Sequence, residues 1–459
     1  MRFIEKAIEK RKKKETNEVF ERRCTMLEGL LRGYFDTIDT DNRPTALDFD
    51  GLNPNATEED FLAWIGKTLN ISPDKIKNND SQTYKNLNQA LFLGKDFLRQ
   101  MLKYSDRELA FGPTEFKNKK DIFELLNGTK MSKDISDKNG GLDTSVAYCR
   151  IVKATHVAYE VLKNDAQLLR ELTERFSEHM TSDAGENAYA PLTVKERVVG
   201  PQEFYVEDEN FISGKLEIRS KDLWKLMLRF INRPESNAKK ALEDGVAARI
   251  IISKEHAIDL LPILSSWLLE SMRARNLSME NKNFFSAEES LIVKDSIRKV
   301  STDQNFTIID SPVSNQVSSG SFAGLVIKGR FPNRSLVSSD TSKNVRQFEI
   351  MIVTPDNEND NAHSPGNHHI YDMKKVVAAR TRLDGYCTAE VFENLLNETS
   401  TETGIDKEEI RKWLLEPLEG KDSPIKEVVK HNKRVYVSKS VIERWHGFGF
   451  VEDYVFEQI

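Results

Sequence analysis

The sequence predicts an α/β (α+β) protein: a core of mixed strands and helices behind a helical N-terminal region and ahead of a small helix-plus-hairpin module. Three observations carry this. Between 195 and 353, short apolar runs suited to strands recur between stretches of helical periodicity. From Thr45 to about 180 the apolar spacing is mainly helical. After 425, two alternating runs flank His431-Asn432, the pattern of a hairpin. With 459 residues, 39% of them hydrophobic, the chain can bury a sizeable core. The expected segments are 1–141, 142–385 and 386–459.

Taken in order, residues 2–33 hold ten basic and six acidic residues, a net +4, and read as a surface helix or arm. Thr57 ahead of Glu58-Glu59-Asp60 is a good N-cap with acids in the first turn. Helical runs follow at 84–104 and 120–127, and Asp137-Lys-Asn-Gly-Gly141 reads as a linker. One long amphipathic helix is expected over about 143–179. Short strands are expected at 195–200 and 203–206, and a longer one at 211–219 leads into a basic helix. Further strand candidates are 246–252, 305–309, 322–328 and 346–353, with helices at 256–274 and 286–299.

Charge and cysteine content narrow the classes. A formal net charge of −6 argues against a protein wrapped generally in nucleic acid. Cys24, Cys149 and Cys387 are odd in number and far apart, so they make neither a disulfide framework nor a zinc site. No apolar run reaches the length of a membrane span, and the N-terminus lacks a secretory core. A cytoplasmic location is the expectation.

The chemistry concentrates in the middle. Lys221, Lys225 and Arg229 are four apart, so they project from one face of a helix, with Ser220 as its N-cap and Arg219 at its mouth. Trp224, Leu228 and Ile231 lie on another face, suited to packing on a sheet. Residues 214–240 carry eight basic and three acidic residues. Asp244 enters a nearly continuous apolar strand that Arg249 interrupts, and Glu349 interrupts a second one, Phe348 to Val353. A charge on such a strand needs a partner or a task. Either Arg249 pairs with Glu349 as an internal salt bridge, or the two carboxylates, Asp244 and Glu349, hold Mg²⁺ while the cations hold a nucleotide's phosphates.

These residues resemble the synthetase domain of the RelA/SpoT family of nucleotide pyrophosphokinases, over roughly 195–380. That family carries Arg-x-Lys with a further Lys one turn on, as in Arg219-Ser-Lys221 and Lys225. It carries an Asp five residues before an Arg at a core strand, as in Asp244 and Arg249. It also carries a Glu-x-x-Ile strand followed by a His-containing segment, as in Glu349-Ile-Met-Ile and His363, His368 or His369. The resemblance implies a nucleotidyltransferase-like mixed-sheet fold and transfer of diphosphate from ATP to an acceptor hydroxyl, as in the stringent response. Arg219, Lys221, Lys225, Arg229 and Arg249 would bind ATP. Asp244 would hold Mg²⁺, and Glu349 would complete the metal shell or take the acceptor's proton. The acceptor would be GTP, GDP or the terminal ribose of tRNA, met by Phe322 and His368. The family's Gly-Tyr-x-Ser/Ala-x-His motif is matched only by Gly320-Ser-Phe322-Ala, which lacks its Tyr and its His. A binding module that no longer turns nucleotides over is the alternative.

Two other signals are weaker. Leu47-Asp-Phe-Asp-Gly51 resembles the nucleophile motif of haloacid-dehalogenase phosphatases, but no buried strand leads into it. His363, His368 and His369 cluster in a loop-like stretch without HExxH spacing, where surface or substrate-side histidines are expected ahead of a metal site. The C-terminal hairpin resembles those of excisionase-type winged helices, which implies phosphate-backbone contact through Lys433 and Arg434. Residues 421–444 carry a net +4. The whole of 388–459 carries −5, which favours a hairpin docked on protein.

Overall fold

Nine strands form one mixed sheet. They are β1 (Thr181–Asp183), β2 (Leu192–Val194), β3 (Pro201–Val206), β4 (Ile212–Ser220), β5 (Val246–Ile251), β6 (Arg275–Lys282), β7 (Phe306–Asp310), β8 (Gly324–Arg330) and β9 (Gln347–Val353). Their order is β1-β2-β3-β4-β5-β9-β8-β6-β7, with β5 and β9 parallel at the centre. The computed structural model describes residues 59, 62, 71–110, 112–122, 142–163, 166–183, 190–195, 200–206, 211–220, 222–232, 245–300, 306–310, 323–331, 347–365, 367–417, 423–430 and 433–447. Among these, no helix is long and apolar enough to cross a membrane.

Strand alternation decides which face is covered. Leu216 and Ile218 on β4, Val246, Ala248 and Ile250 on β5, and Phe348, Ile350 and Ile352 on β9 are all buried. They pack with helices α4 (Ala166–Met180), α6 (Lys254–Ser266, continued by a π turn through Ser271) and α7 (Ala287–Val300). Phe348 stacks on Phe176 at 5.4 Å and meets Phe331 at 5.2 Å. Burying such a ring stabilises by roughly 1.5–3 kcal/mol. Gly329 makes room for it, since a Cβ there would fall 2.5 Å from the Phe348 ring.

A second core lies beside the sheet. It joins α2 (Ser81–Gln100), α3 (Leu142–Lys163), α5 (Leu223–Asn232), α9 (His368–Asp384), α10 (Ala389–Thr403) and α11 (Lys407–Leu415). The short helix α1 (Pro73–Lys77) contributes Ile76. At Gly94 the α2 and α3 backbones touch, and a Cβ there would lie 2.7 Å from the Ala154 carbonyl carbon. Inside this core, Asp384 accepts from Arg150 Nε at 2.5 Å and from Tyr104 Oη at 2.7 Å. Arg380 Nη1 approaches the same carboxylate at 3.5 Å. Both guanidiniums lie against the Tyr104 ring, 4.4 and 3.7 Å from its centroid.

After α9 come β10 (Cys387–Thr388), α10, α11 and the hairpin β11 (Ile425–Lys430) and β12 (Lys433–Ser438), then α12 (Lys439–Gly447). Strand β10 pairs with β12, and Lys430 opposite Lys433 fixes the turn at the expected two residues. Ile425 and Tyr436 enter the same core as α2 and α3, so the terminal hairpin is packed into the body of the protein.

Several expectations are corrected. The helix expected over 143–179 is two helices, α3 and α4. Strand β6 arises where none was expected, because its outward residues Ser278, Glu280 and Lys282 hide a two-residue alternation with Leu277 and Met279. Strand β5 is covered on one face only, so Arg249 is not a charge sealed inside a sheet. Ser220 ends β4, and Asp222 caps α5 instead, accepting from the Trp224 N–H at 2.7 Å. Trp224 stacks on Phe97 of α2 at 5.9 Å, and Leu228 and Ile231 join that helical core; Leu226 is the residue that faces the sheet. The expected N-cap Thr57 and the segment 2–33 lie outside the described residues.

Candidate functional site

The sheet face opposite α4, α6 and α7 carries Arg219 of β4, Arg249 of β5, Glu349 of β9 and Lys328 of β8, interspersed with apolar Ala247, Met351 and Val326. Register sets the neighbours: Arg219 lies opposite Ala247, Ala247 opposite Glu349, and Glu349 opposite Lys328. Arg219 and Glu349 thus stand in one row, two strand spacings or about 10 Å apart. The small Ala247 side chain between them keeps the row open. Lys328 turns away from Glu349 and donates to Glu280 at 2.7 Å, and Lys282 approaches the same carboxylate at 3.4 Å. Burial opposes ionisation of Glu280, but the Lys328 hydrogen bond and both ammonium charges outweigh it and hold its pKa below the usual range. Glu349 has no hydrogen bond or ion pair among the described residues.

Arg249 stands one step along the same face and meets Glu358 of α8 (Pro355–Ala362) at 3.3 Å. The anticipated Arg249–Glu349 salt bridge is therefore absent, since Glu358 reaches over from the helix that follows β9.

A second group gathers between α5 and α9. Asp372 Oδ2 lies 3.1 Å from Lys225 Nζ and 3.1 Å from His368 Nδ1; its Oδ1 lies 3.4 Å from Lys375 Nζ. Burial works against the Asp372 charge, yet the His368 hydrogen bond and the two lysines keep its pKa well below the ordinary carboxylate value. Desolvation lowers Lys375 to about 8 against the pull of Asp372, with Lys225 and Arg229 contributing by like-charge repulsion. Lys375 also sits 3.9 Å over the Tyr371 ring. Next to it, Lys374 is 7% exposed, and burial alone lowers its pKa to about 8.

The structure thus brings Arg219 to Glu349 in one row, and Lys225 and His368 around Asp372, with the Arg229 charge felt at Lys375. Helix α5 starts three residues after β4 ends, which ties the two groups together in the chain. Asp244, Lys221 and Phe322 lie outside the described residues. Sequence reasoning missed Asp372 and Lys375, although the His368–Asp372 spacing of four was a visible helical signal. It placed His368 in a loop, whereas His368 opens α9 behind the N-cap Asn367. The three histidines point to three separate partners: His363 to Asn359 O, His368 to Asp372 and His369 to Glu402. No metal-holding group of His, Cys, Asp and Glu occurs among the described residues.

At the C-terminal module several of the described cations are already paired. Arg434 pairs with Glu427 at 3.1 Å, while Lys433 is exposed. Arg411 grips Glu393 through two nitrogens at 2.7 and 2.9 Å, and Lys407 binds the same carboxylate at 2.9 Å. Exposed Glu408 and Glu409 open α11, so its outer surface is not that of a helix made for a phosphate backbone.

Comparison with family models, with curated proteins and with solved structures finds no match. What the fold and site define is a mixed α/β protein whose sheet has one open, charged face beside a cation-rich pair of helices.

Proposed function

We propose that the open sheet face binds ATP and that the protein transfers its β,γ-diphosphate to the hydroxyl of a guanine nucleotide or of tRNA, as a RelA/SpoT-like pyrophosphokinase. The observation that carries this reading is Glu349: a carboxylate with no hydrogen bond or ion pair among the described residues, in one row with Arg219, on the face where β4 hands over to α5. Arg219, Lys225 and Arg229 hold the phosphates, and Arg249 is a reserve cation that a ligand can draw away from Glu358. The donor chemistry fits a hard cation, because Mg²⁺ takes one or two carboxylates and fills the rest of its shell from water and phosphate. Glu349 would hold it, together with Asp244 two residues before β5. When bound, Mg²⁺ neutralises charge on the transferred group. The chain's own residues hold and align the phosphates, which is most of what phosphoryl transfer asks of a protein.

The test is ATP labelled in its β-phosphate, incubated with Mg²⁺ and GTP, GDP or tRNA in turn. Label passing to one acceptor, and lost in Glu349→Gln, supports the reading. A folded protein that labels none of them refutes it. The second reading, a nucleotide-binding regulator, draws on the acceptor motif that lacks its Tyr and His at Gly320-Ser-Phe322. It requires ATP binding by calorimetry with no transfer.

A further inference from the structure

We infer that His368 and Asp372 form a dyad in which His368 is the catalytic base that takes the acceptor hydroxyl's proton. The inference rests on the transfer reading above and gives the base's role to His368, leaving Glu349 to the metal. Its geometry is that of an oriented imidazole. Asp372 Oδ2 lies 3.1 Å from His368 Nδ1, one helical turn on in α9. A carboxylate there takes the Nδ1 proton as a hydrogen bond, which fixes the tautomer and leaves the lone pair on Nε2. Nε2 has no partner among the described residues, and the ring is 43% exposed.

Asp372 is held in place to do this. Only 17% of its side chain is exposed, and it is held by Lys225 from α5 and Lys375 from α9. Lys225 is one of the cations assigned to the phosphates, so the base stands within one shared carboxylate of the group that would grip ATP. The charged and titratable neighbours are Asp372, Lys375, Tyr371 and His369 on α9 and Lys225 on α5, with Arg229 of α5 acting on Lys375. The Asp372 hydrogen bond and charge favour the protonated ring, but burial and the lysines prevail, so His368 titrates below its ordinary 6.5. It is therefore neutral, and able to accept a proton, at neutral pH.

The step balances. The acceptor's O–H proton moves to Nε2, and its oxygen forms a bond to the β-phosphorus of ATP. The bond from that phosphorus to the bridging oxygen of the α-phosphate breaks, and AMP leaves with the electron pair. His368 then returns its proton to solvent. Asp372 acts through the ring and is a positioning residue.

The experiment uses the full chain, labelled ATP, Mg²⁺ and whichever acceptor the wild type labels. His368→Ala is expected to lower kcat by roughly 10²–10⁴-fold with little change in the KM for ATP. Added imidazole should restore part of that rate, which a purely structural role would not allow. Asp372→Asn should lower kcat and displace the acidic limb of the pH–rate profile. His369→Ala, which touches Glu402 instead, should leave transfer unchanged. A wild type that labels no acceptor overturns the transfer reading and the dyad together. A transferring wild type whose His368→Ala variant keeps its rate and pH profile overturns the dyad alone. So does a His368→Ala variant that only melts earlier, or one that imidazole does not rescue.

Discussion

Asp384→Asn should be the most destabilising isosteric change in the helical core. The side chain is 9% exposed and answers three groups: Arg150 Nε at 2.5 Å, Tyr104 Oη at 2.7 Å and Arg380 Nη1 at 3.5 Å. Arg150 and Arg380 are themselves nearly sealed, with side chains 10% and 2% exposed. The amide keeps the shape but removes the one carboxylate these guanidiniums share, and its NH₂ group turns a donor toward donors. Losing one partner of a buried pair costs about 3–5 kcal/mol. That is a large part of the roughly 5–15 kcal/mol that keeps a domain folded. Urea denaturation followed by circular dichroism measures the change in midpoint and slope. Replacing Arg150 by Met in the Asp384→Asn background should return part of the loss, because one orphaned charge goes with it. A single variant within 1 kcal/mol of wild type, or a double variant no better than the sum of its parts, would refute the reasoning.

Four further outcomes are expected. Lys374 titrates at about 8 in the folded chain against 10.5 when unfolded, a gap equivalent to roughly 3 kcal/mol. That cost is complete below pH 8 and shrinks as pH rises toward 10.5, so Lys374→Met should raise the melting temperature at pH 7 and flatten its rise in that window. Glu393 is held at about 2, first by the Arg411 hydrogen bond and then, against desolvation, by Lys407; its contribution is present above 4.5 and fades as pH falls toward 2, and Glu393→Gln should abolish that acid dependence in melts of the chain. Gly94→Val should part α2 from α3 and lower stability by at least 1–3 kcal/mol in the same urea assay. Replacing Lys433 and Arg434 by Ala should leave titrations with RNA or duplex DNA unchanged at every salt concentration, because the hairpin is docked on protein and Arg434 already answers Glu427.

Much of the sheet was legible because its strands are apolar on a two-residue period or bounded by turns. β4, β5, β8 and β9 all lie where that pattern put them. β6 was not legible, because its outward residues are as polar as a loop and its inward ones are only Leu277, Met279 and Asn281. The site was half legible. The one-row placement of Arg219 and Glu349 follows from strand parity, but which strands are neighbours is a long-range fact that no local pattern contains. For the same reason Glu358 could not be foreseen as the partner of Arg249. The Asp372 cluster depends on α5 meeting α9, and those helices are separated by the whole of β5 to β9.

The parallel pair at the centre of the sheet also sets a timetable for synthesis. Ala247 pairs with Glu349, which follows it by 102 positions. When β5 has left the ribosome it can close on β4, but its other edge has no partner. At about 5–20 residues per second, β9 arrives roughly 5–20 seconds later. Throughout that interval an apolar strand carrying Val246, Ala248 and Ile250 offers unpaired backbone to any passing chain. A nascent chain of this protein should therefore depend on chaperone cover while residues 252–346 are being made, and codon changes that slow that stretch should lower its soluble yield.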